Sequence, residues 1–266
     1  MRKNSSCLLL GLLCLMFVFI PGCAKNAGDR SLKTVTGSGV LVLGLDENFP
    51  PMGFRDENGE ITGFDIDLAS EVCKRMNVRL MPRPINWDEK EKELNEGRID
   101  CIWNGLSVNP ERGKDMNLSE AYMKNDLVFV VLNTSGIKLA EELKGKKVGV
   151  QRGSSAESVL EASEFGPEVG IVTSEDNPDL LNRLDGGMLD AVFLDSVFAY
   201  YFIAENEKEY YILPNVLATE DFAVGFRRED QALRDKVQEI LSEMRADGTL
   251  SDISTKWFGS DVTTVK

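Results

Sequence analysis

Apolar residues recur along the chain in two patterns, which predict strands alternating with helices. Continuous apolar runs, typical of buried parallel strands, occur at Val40–Leu43 and Leu127–Leu132. Between them, apolar residues spaced at the helical period predict a helix over Asp65–Met76, for which Asn77 is a plausible stop. An Asn-Gly turn within residues 56–59 separates two short extended pieces.

The alternation of strands and helices continues to the C-terminal end. Further strands are predicted at Ile99–Trp103, Lys146–Val150, Ala191–Leu194 and Phe222–Phe226. Further helices are predicted at Glu89–Asn95, from Asn109-Pro110 onward, and at Ser154–Ala162, Ser196–Ala204 and Gln231–Asp247. Alternating strands and helices predict an α/β fold with mostly parallel sheets, and two separate runs of the pattern predict two lobes.

Residues 1–22 have the features of a secretory signal peptide. A basic N-terminal region precedes the mostly apolar run Leu8–Ile20, which is shorter than the roughly 20 residues of a transmembrane helix. The position of Cys23 resembles that of a lipoprotein signal, which implies cleavage before Cys23 and its lipidation. An ordinary cleaved signal with an incidental cysteine is the alternative. The polar residues 23–35 then predict a flexible, lipid-anchored tether.

The amino-acid composition excludes several classes of protein. Asp and Glu number 44 against 30 Lys and Arg, a net charge of −14, which argues against a nucleic-acid partner because such proteins need a basic face. The absence of histidine excludes Ser-His and Cys-His hydrolases and His-ligated metal centres. Cys73 and Cys101 lack the spacing of a zinc or redox motif, so we expect two buried thiols, with a disulfide as the alternative. We predict no cofactor and no metal site.

Charged and polar residues follow several predicted strands, where ligands of α/β sheets bind. The loop 44–51 follows the first strand. Arg112 opposes the dipole of its predicted helix and could grip a carboxylate, unless it is a solvated surface residue. Ser154 and Ser155 open a helix whose free N–H groups could bind an anion, and Asp195 could pair with an ammonium group. Simple helix caps are the alternative for these three. Together a cation, a donor-rich helix end and an anion suit a zwitterion.

These motifs resemble those of the extracellular solute-binding proteins of amino-acid ABC importers. The matching stretches, in order within residues 38–260, are 46–54, 63–69, 105–112, 148–155, 191–195 and 244–258. The resemblance implies a type II periplasmic-binding-protein fold, in which two mostly parallel sheets are joined by two crossing strands. It implies that lobe 1 is formed by residues 36–125 and 224–260, and lobe 2 by residues 126–223.

The resemblance also implies how a ligand head group is bound. Arg112 would hold the α-carboxylate, with help from Ser107 and from the helix end at Ser154–Ser155. Asp195 and the carbonyl of Gly105 would bind the α-ammonium group.

Other positions correspond to the part of the site that holds the ligand side chain. Phe49 and Trp87 fall where the family stacks that side chain, with Asn104 and Asp46 nearby. Asn104 and the glycine after it replace the paired small hydroxyl residues common in the family, which leaves the side-chain specificity open. Trp103 could present its indole to the cleft or pack in the core.

The predicted function is that of a monomeric, lipid-anchored receptor outside the cytoplasm. It would capture a free L-amino acid and deliver it to the membrane permease of an ABC importer, without catalysis. Three alternatives are a dehydratase of cyclohexadienyl acids such as arogenate, the sensory domain of a kinase or channel, and a peptidoglycan-cleaving relative. Which amino acid binds is left open.

Overall fold

The computed structural model describes residues 28–205 and 209–266, so the predicted signal peptide and Cys23 lie outside the described residues. The strands are β1 (Val40–Leu45), β2 (Asn48–Phe49), β3 (Gly53–Arg55), β4 (Ile61–Thr62), β5 (Arg79–Pro84), β6 (Cys101–Ser107), β7 (Met116–Leu118), β8 (Met123–Leu132), β9 (Lys147–Gln151), β10 (Gly170–Ser174), β11 (Ala191–Asp195) and β12 (Tyr210–Arg227). The α-helices are α1 (Ser31–Ser38), α2 (Phe64–Arg75), α3 (Lys90–Asn95), α4 (Arg112–Asp115), α5 (Ser155–Ala162), α6 (Asn177–Asp185), α7 (Ser196–Glu205), α8 (Gln231–Asp247) and α9 (Thr249–Phe258). In this part of the chain, the helices are too short or too polar to span a membrane.

The α/β class and the two-lobed architecture are confirmed. The main sheet has the strand order β10-β9-β11-β8-β12-β6-β1-β5, with β7 attached to β12. The outer parts are parallel: β1 pairs with β5 and β6 in the first lobe, and β9 pairs with β10 and β11 in the second. The long strands β8 and β12 cross between the lobes and pair antiparallel with each other.

The predicted arrangement, in which two mostly parallel sheets are joined by two crossing strands, is confirmed. Strand β8 pairs with β11 in the second lobe, and strand β12 pairs with β6 in the first. Each crossing strand extends one of the two parallel sheets, and the two crossing strands also pair with each other. Hydrogen bonding is therefore continuous across the main sheet. Helices then cover both lobes and bury the apolar faces of the strands, as expected for parallel sheets.

The prediction of a flexible tether is partly wrong, because the last residues of that segment belong to helix α1. Val35 is buried against the core, and the Ser31 hydroxyl accepts a hydrogen bond of 3.1 Å from the N–H of Leu233 at the start of α8. Asp29 accepts from the N–H of Ala232 next to it. The first turn of α8 has N–H groups without intrahelical acceptors, and the segment before α1 and the start of α1 supply them.

Two predicted elements next to the cavity also differ from the structure. The strand predicted at Ile99–Trp103 is β6, which begins two residues later and continues to Ser107 with every residue buried. The helix predicted from Asn109 is the short helix α4, which begins at Arg112. The Asn109 side chain accepts from the N–H of Arg112 at 2.8 Å, and Met116 is already extended and begins β7. Arg112 is therefore held at the start of a single turn.

Both cysteines in the described part of the chain are buried and unpaired. Cys73 lies on α2 and Cys101 begins β6. Burial raises the pKa of Cys73 to about 12 and raises that of Cys101 well above its usual value, so both thiols stay protonated. Of the two interpretations left open by the sequence, the structure has the free thiols.

Candidate functional site

A small cavity lies between the lobes, at the carboxyl ends of strands from both. Its lining residues are Asp46, Phe49, Trp87, Asn104, Gly105, Ser107, Arg112, Gln151, Ser154, Ser155 and Asp195. The ten candidates from the sequence all line this cavity, and Gln151 is the addition. Asp46 follows β1, Ser107 ends β6, Gln151 ends β9 and Asp195 ends β11. This edge is where open α/β sheets bind ligands.

Arg112 provides a buried positive charge at one end of the cavity, which we call the head-group end. Only 8% of the residue is exposed. Its Nη1 donates to the carbonyl of Ser107 at 2.9 Å, and its Nη2 donates to the carbonyl of Gly153 at 3.3 Å. Burial lowers the pKa of the guanidinium, but arginine remains charged at neutral pH. The two carbonyls fix its plane, and the alternative of a solvated surface arginine is wrong.

The two serine hydroxyls at the start of α5 are engaged within the protein. The Ser154 hydroxyl donates to the carbonyl of Gln151 at 2.7 Å and accepts from the N–H of Glu157 at 3.2 Å. The Ser155 Oγ lies 3.0 Å from the Ser107 Oγ and 2.5 Å from the Glu220 carboxylate. What this helix end offers an anion is therefore its free backbone N–H groups.

Asp195 provides a buried carboxylate at the same end. Its Oδ1 accepts a hydrogen bond of 2.7 Å from the Asn125 side chain on β8. Burial, and after it repulsion from Glu220, raise the pKa of Asp195 to about 7. A carboxyl group at this pKa changes charge near neutral pH, so a cation placed against it would favour the ionised form.

Gly105 brings a sharp backbone bend to the floor of the cavity. Its φ is +56°, and a Cβ at this position would lie 2.8 Å from Cε1 of Phe49. The Gly105 N–H donates at 2.7 Å to Asp65, a fully buried carboxylate that also accepts from the Tyr122 hydroxyl at 2.9 Å. Burial raises the pKa of Asp65 to about 7. Asp65 is a positioning residue that the sequence analysis used only as part of helix α2.

The opposite end of the cavity, which we call the side-chain end, carries a second buried carboxylate. Asp46 accepts from the Gln151 Nε2 at 2.6 Å, a contact between the two lobes, and from the N–H of Asn48 at 2.9 Å. Burial raises the pKa of Asp46. Asn104 is beside it: its Oδ1 accepts from the N–H of Asp46 at 3.0 Å, while its buried Nδ2 has no partner among the described residues.

Two aromatic side chains line the cavity along with these polar groups. Phe49 is stacked on Phe198 of the second lobe, with ring centroids 5.8 Å apart. Trp87 is buried and its ring lies 5.2 Å from the Lys90 Nζ. Trp103 is fully buried beside Tyr122 and does not line the cavity, so the core interpretation of that residue is correct.

Gln151 is the lining residue that the sequence analysis missed. A glutamine carries no charge to mark it, and the anion site predicted just after it depended on Ser154 and Ser155. Its position directly after a buried strand was the available signal. Besides Asp46, its Nε2 contacts the carbonyl of Glu175 at 2.9 Å, and its Oε1 accepts from Asn177 at 3.3 Å.

Comparison with known proteins places this geometry in a family. Residues 41–260 match the family model of bacterial extracellular solute-binding proteins, family 3. The chain is 30% identical over 257 residues to the L-cystine-binding protein TcyJ of Escherichia coli, covering 96% of each chain. A solved substrate-binding protein of an ABC uptake transporter from Streptococcus pneumoniae with bound histidine is 37% identical, with a TM-score of 0.86, over 89% of this chain and 99% of that one.

A third similar structure bears on the enzymatic alternative. It is the ancestral amino-acid-binding protein AncCDT-1, described as a precursor of cyclohexadienyl dehydratase. It is 32% identical, with a TM-score of 0.79, over 86% of this chain and 99% of that one. Given the match over most of its length and the two-lobed fold around this cavity, the chain belongs to the bacterial extracellular solute-binding proteins of family 3.

Proposed function

We propose that this protein binds a free L-amino acid in the cavity between its lobes and delivers it to an ABC transporter permease. The observation that carries the proposal is the head-group end, where a buried guanidinium and a buried carboxylate line one small cavity. Arg112 and the N–H groups of α5 would bind the α-carboxylate. Asp195 and the Gly105 carbonyl would bind the α-ammonium group. Such charge pairs are strong in a low-dielectric site and supply orientation as well as affinity.

The side-chain end favours amino acids whose side chains carry hydrogen-bond donors. Asp46 is buried without a cation at ion-pair distance among the described residues, and its two bonds leave lone pairs unused. A donor-bearing side chain would satisfy them, and Phe49 and Trp87 would pack against its apolar part. The solved relative with bound histidine holds a ligand of this kind.

Ligand delivery would depend on closure of the lobes, with lobe 1 at residues 36–125 and 224–260 and lobe 2 at residues 126–223. Contacts across the cavity support this division. The carbonyl of Gly153 in lobe 2 accepts from Lys90 of lobe 1 at 2.8 Å and from Arg112. Solution scattering should therefore give a smaller radius of gyration with saturating ligand than without it. An unchanged radius despite demonstrated binding would reject closure as the signal to the permease.

We also propose that the protein acts outside the cytoplasm as a monomer, anchored to the membrane by lipidated Cys23. The support is the apolar run that ends before this cysteine. In the native host the protein should fractionate with membranes and carry acyl chains, and Cys23→Ala should remove them. Acylation that persists in the variant would show that the anchor is elsewhere.

The binding function is tested by titrating purified protein with each of the twenty amino acids while following tryptophan fluorescence. Trp87 lines the cavity, so occupancy should change its emission. Saturable binding of a small set with donor-bearing side chains is expected. Failure of every amino acid to bind would reject the proposal.

A dehydratase is the second candidate, favoured by the similarity to AncCDT-1 and by a carboxyl group in the cavity with a pKa of about 7. Dehydration needs a proton donor at the leaving hydroxyl, and Asp195 would have to fill that role. Incubation with prephenate and arogenate should give no aromatic product under our proposal. Turnover that is lost in Asp195→Asn would instead support the enzyme.

A further inference from the structure

Glu220 is a carboxylate directly behind the cavity-lining Ser155, and neither the motifs nor the proposed head-group contacts use it. It lies on the crossing strand β12, where it pairs with Asn125 of β8. Its Oε2 lies 2.5 Å from the Ser155 Oγ, which lies 3.0 Å from the Ser107 Oγ. A row of three polar side chains therefore connects the first lobe, the second lobe and the strand between them, next to the head-group end.

The electrostatic effect of Glu220 reaches both charged groups of the head-group end. Its charge adds to burial in raising the pKa of Asp195, and it favours the charged form of Arg112. Of the other charges that act on Arg112, Lys90 contacts Glu91 at 3.3 Å, so that these two charges largely offset one another. At the head-group end itself, the positive charge of Arg112 is opposed by the negative charges of Asp195 and Glu220.

This balance has different consequences for different ligands. A negative charge near the cavity repels a ligand carboxylate and attracts a ligand ammonium group. In a zwitterionic amino acid the two effects nearly cancel. In an acid that lacks the ammonium group, only the repulsion remains.

We propose that Glu220 is a specificity-determining residue, which makes the cavity reject carboxylic acids without an ammonium group. This inference rests on the proposed function, since it concerns the same head-group site. The rejected class includes 2-oxo acids and deaminated analogues of amino acids, which share their side chains with the proposed ligands. The side-chain end cannot distinguish these compounds from amino acids, so the distinction must be made at the head-group end.

The neighbouring residue on the strand provides a matched control. Asp221 pairs with Lys124 at 3.0 Å and is about half exposed, on the opposite face of β12. Glu220→Gln keeps an oxygen that can accept from Ser155 and removes the charge. Asp221→Asn removes a charge one position away that does not contact the cavity.

The test measures calorimetric affinities at low ionic strength for two series of probes. One is L-histidine, histamine and 3-(imidazol-4-yl)propionate, and the other is L-arginine, agmatine and 5-guanidinopentanoate. For a series whose amino acid binds, Glu220→Gln should increase the affinity for the deaminated acid and decrease that for the amine. Each change should be roughly ten- to a hundredfold, as expected of charges about 6–12 Å apart at the effective dielectric constant of about 20 near a protein surface. The amino acid should change less than threefold, and Asp221→Asn should leave all three ligands unchanged.

Two outcomes would overturn the inference. One is that Glu220→Gln changes the affinities for all three ligands in the same direction. The other is that Asp221→Asn produces the changes expected of Glu220→Gln. Carboxyl NMR titration of the ligand-free protein is an independent measurement. The pKa of Asp195 should fall in Glu220→Gln and not in Asp221→Asn, and an unchanged value in both variants would contradict the electrostatic link. If the wild type binds no amino acid, the proposed function fails, while the NMR result still decides whether Glu220 acts on the head-group end.

Discussion

The two ends of the cavity differ in the charged groups that the protein places there. At the head-group end, a guanidinium and a carboxylate of opposite sign are both held by hydrogen bonds to other parts of the protein. At the side-chain end, Asp46 and Gln151 bond to each other across the lobes, and Asp46 has no cationic partner among the described residues. The first arrangement suits the head group shared by all amino acids. The second leaves room for a choice among side chains.

This difference indicates where affinity and selectivity arise. We expect charged hydrogen bonds to a buried head group to contribute most of the binding free energy, because the loss of one partner leaves the other unpaired. Contacts at the side-chain end involve one carboxylate, two amides and two aromatic rings, so each should have a smaller effect. Substitutions at the two ends should therefore differ in magnitude and in dependence on the ligand.

Arg112→Ala should have the largest effect. Breaking a buried charge pair costs about 3–5 kcal/mol, so calorimetry should show an affinity loss of roughly a hundredfold to a few thousandfold. Arg112→Lys should also bind poorly, because an ammonium group cannot reproduce the planar two-bond contact with a carboxylate. Wild-type affinity in the lysine variant would mean that Arg112 supplies only charge.

Asp195→Asn should weaken binding by about ten- to a hundredfold, since hydrogen bonds to charged groups contribute about 1.5–3 kcal/mol. The pH dependence provides the sharper result. Because the pKa of ligand-free Asp195 is about 7, affinity should increase from pH 6 to pH 8 as the carboxylate ionises and no longer has to release a proton on binding. In the asparagine variant this increase should disappear. An equal slope in both proteins would assign the titration to another group.

Trp87→Ala should reduce affinity about tenfold or more, because aromatic contacts contribute about 1 kcal/mol beyond the area they bury. Trp103→Phe is a control at an indole that is buried outside the cavity. Calorimetry should show a loss only for the Trp87 variant. Unchanged affinity would place Trp87 outside the ligand contacts.

Asp46→Asn should have the smallest effect and the strongest dependence on the ligand. Asparagine keeps the oxygen that accepts from Gln151 but loses the charge. Affinity should fall severalfold for amino acids with cationic side chains and change little for those with neutral ones. A uniform loss across ligands, measured by tryptophan fluorescence, would indicate that Asp46 only supports the fold.

The sequence was sufficient for the elements with strong patterns and for most of the cavity. Helix α8 has the predicted bounds. The ten candidate residues could be predicted from strand ends and family motifs, and all of them line one cavity. Helix α1 was missed because little apolar surface marks it, and its position depends on the distant start of α8. Strand β10 and helix α6 were not predicted either. Glu220 was missed because β12 is much longer than its apolar core at residues 222–226.

The proposed head-group site is tested most sharply by comparing wild type and Arg112→Ala with two ligands, the amino acid that binds and the amine formed by its decarboxylation. We expect the substitution to lower the affinity for the amino acid at least a hundredfold. The amine should bind weakly to both proteins, and its affinity should change only a few fold. If calorimetry shows the same loss for both ligands, Arg112 shapes the cavity without contacting the carboxylate, and the proposed head-group site is wrong.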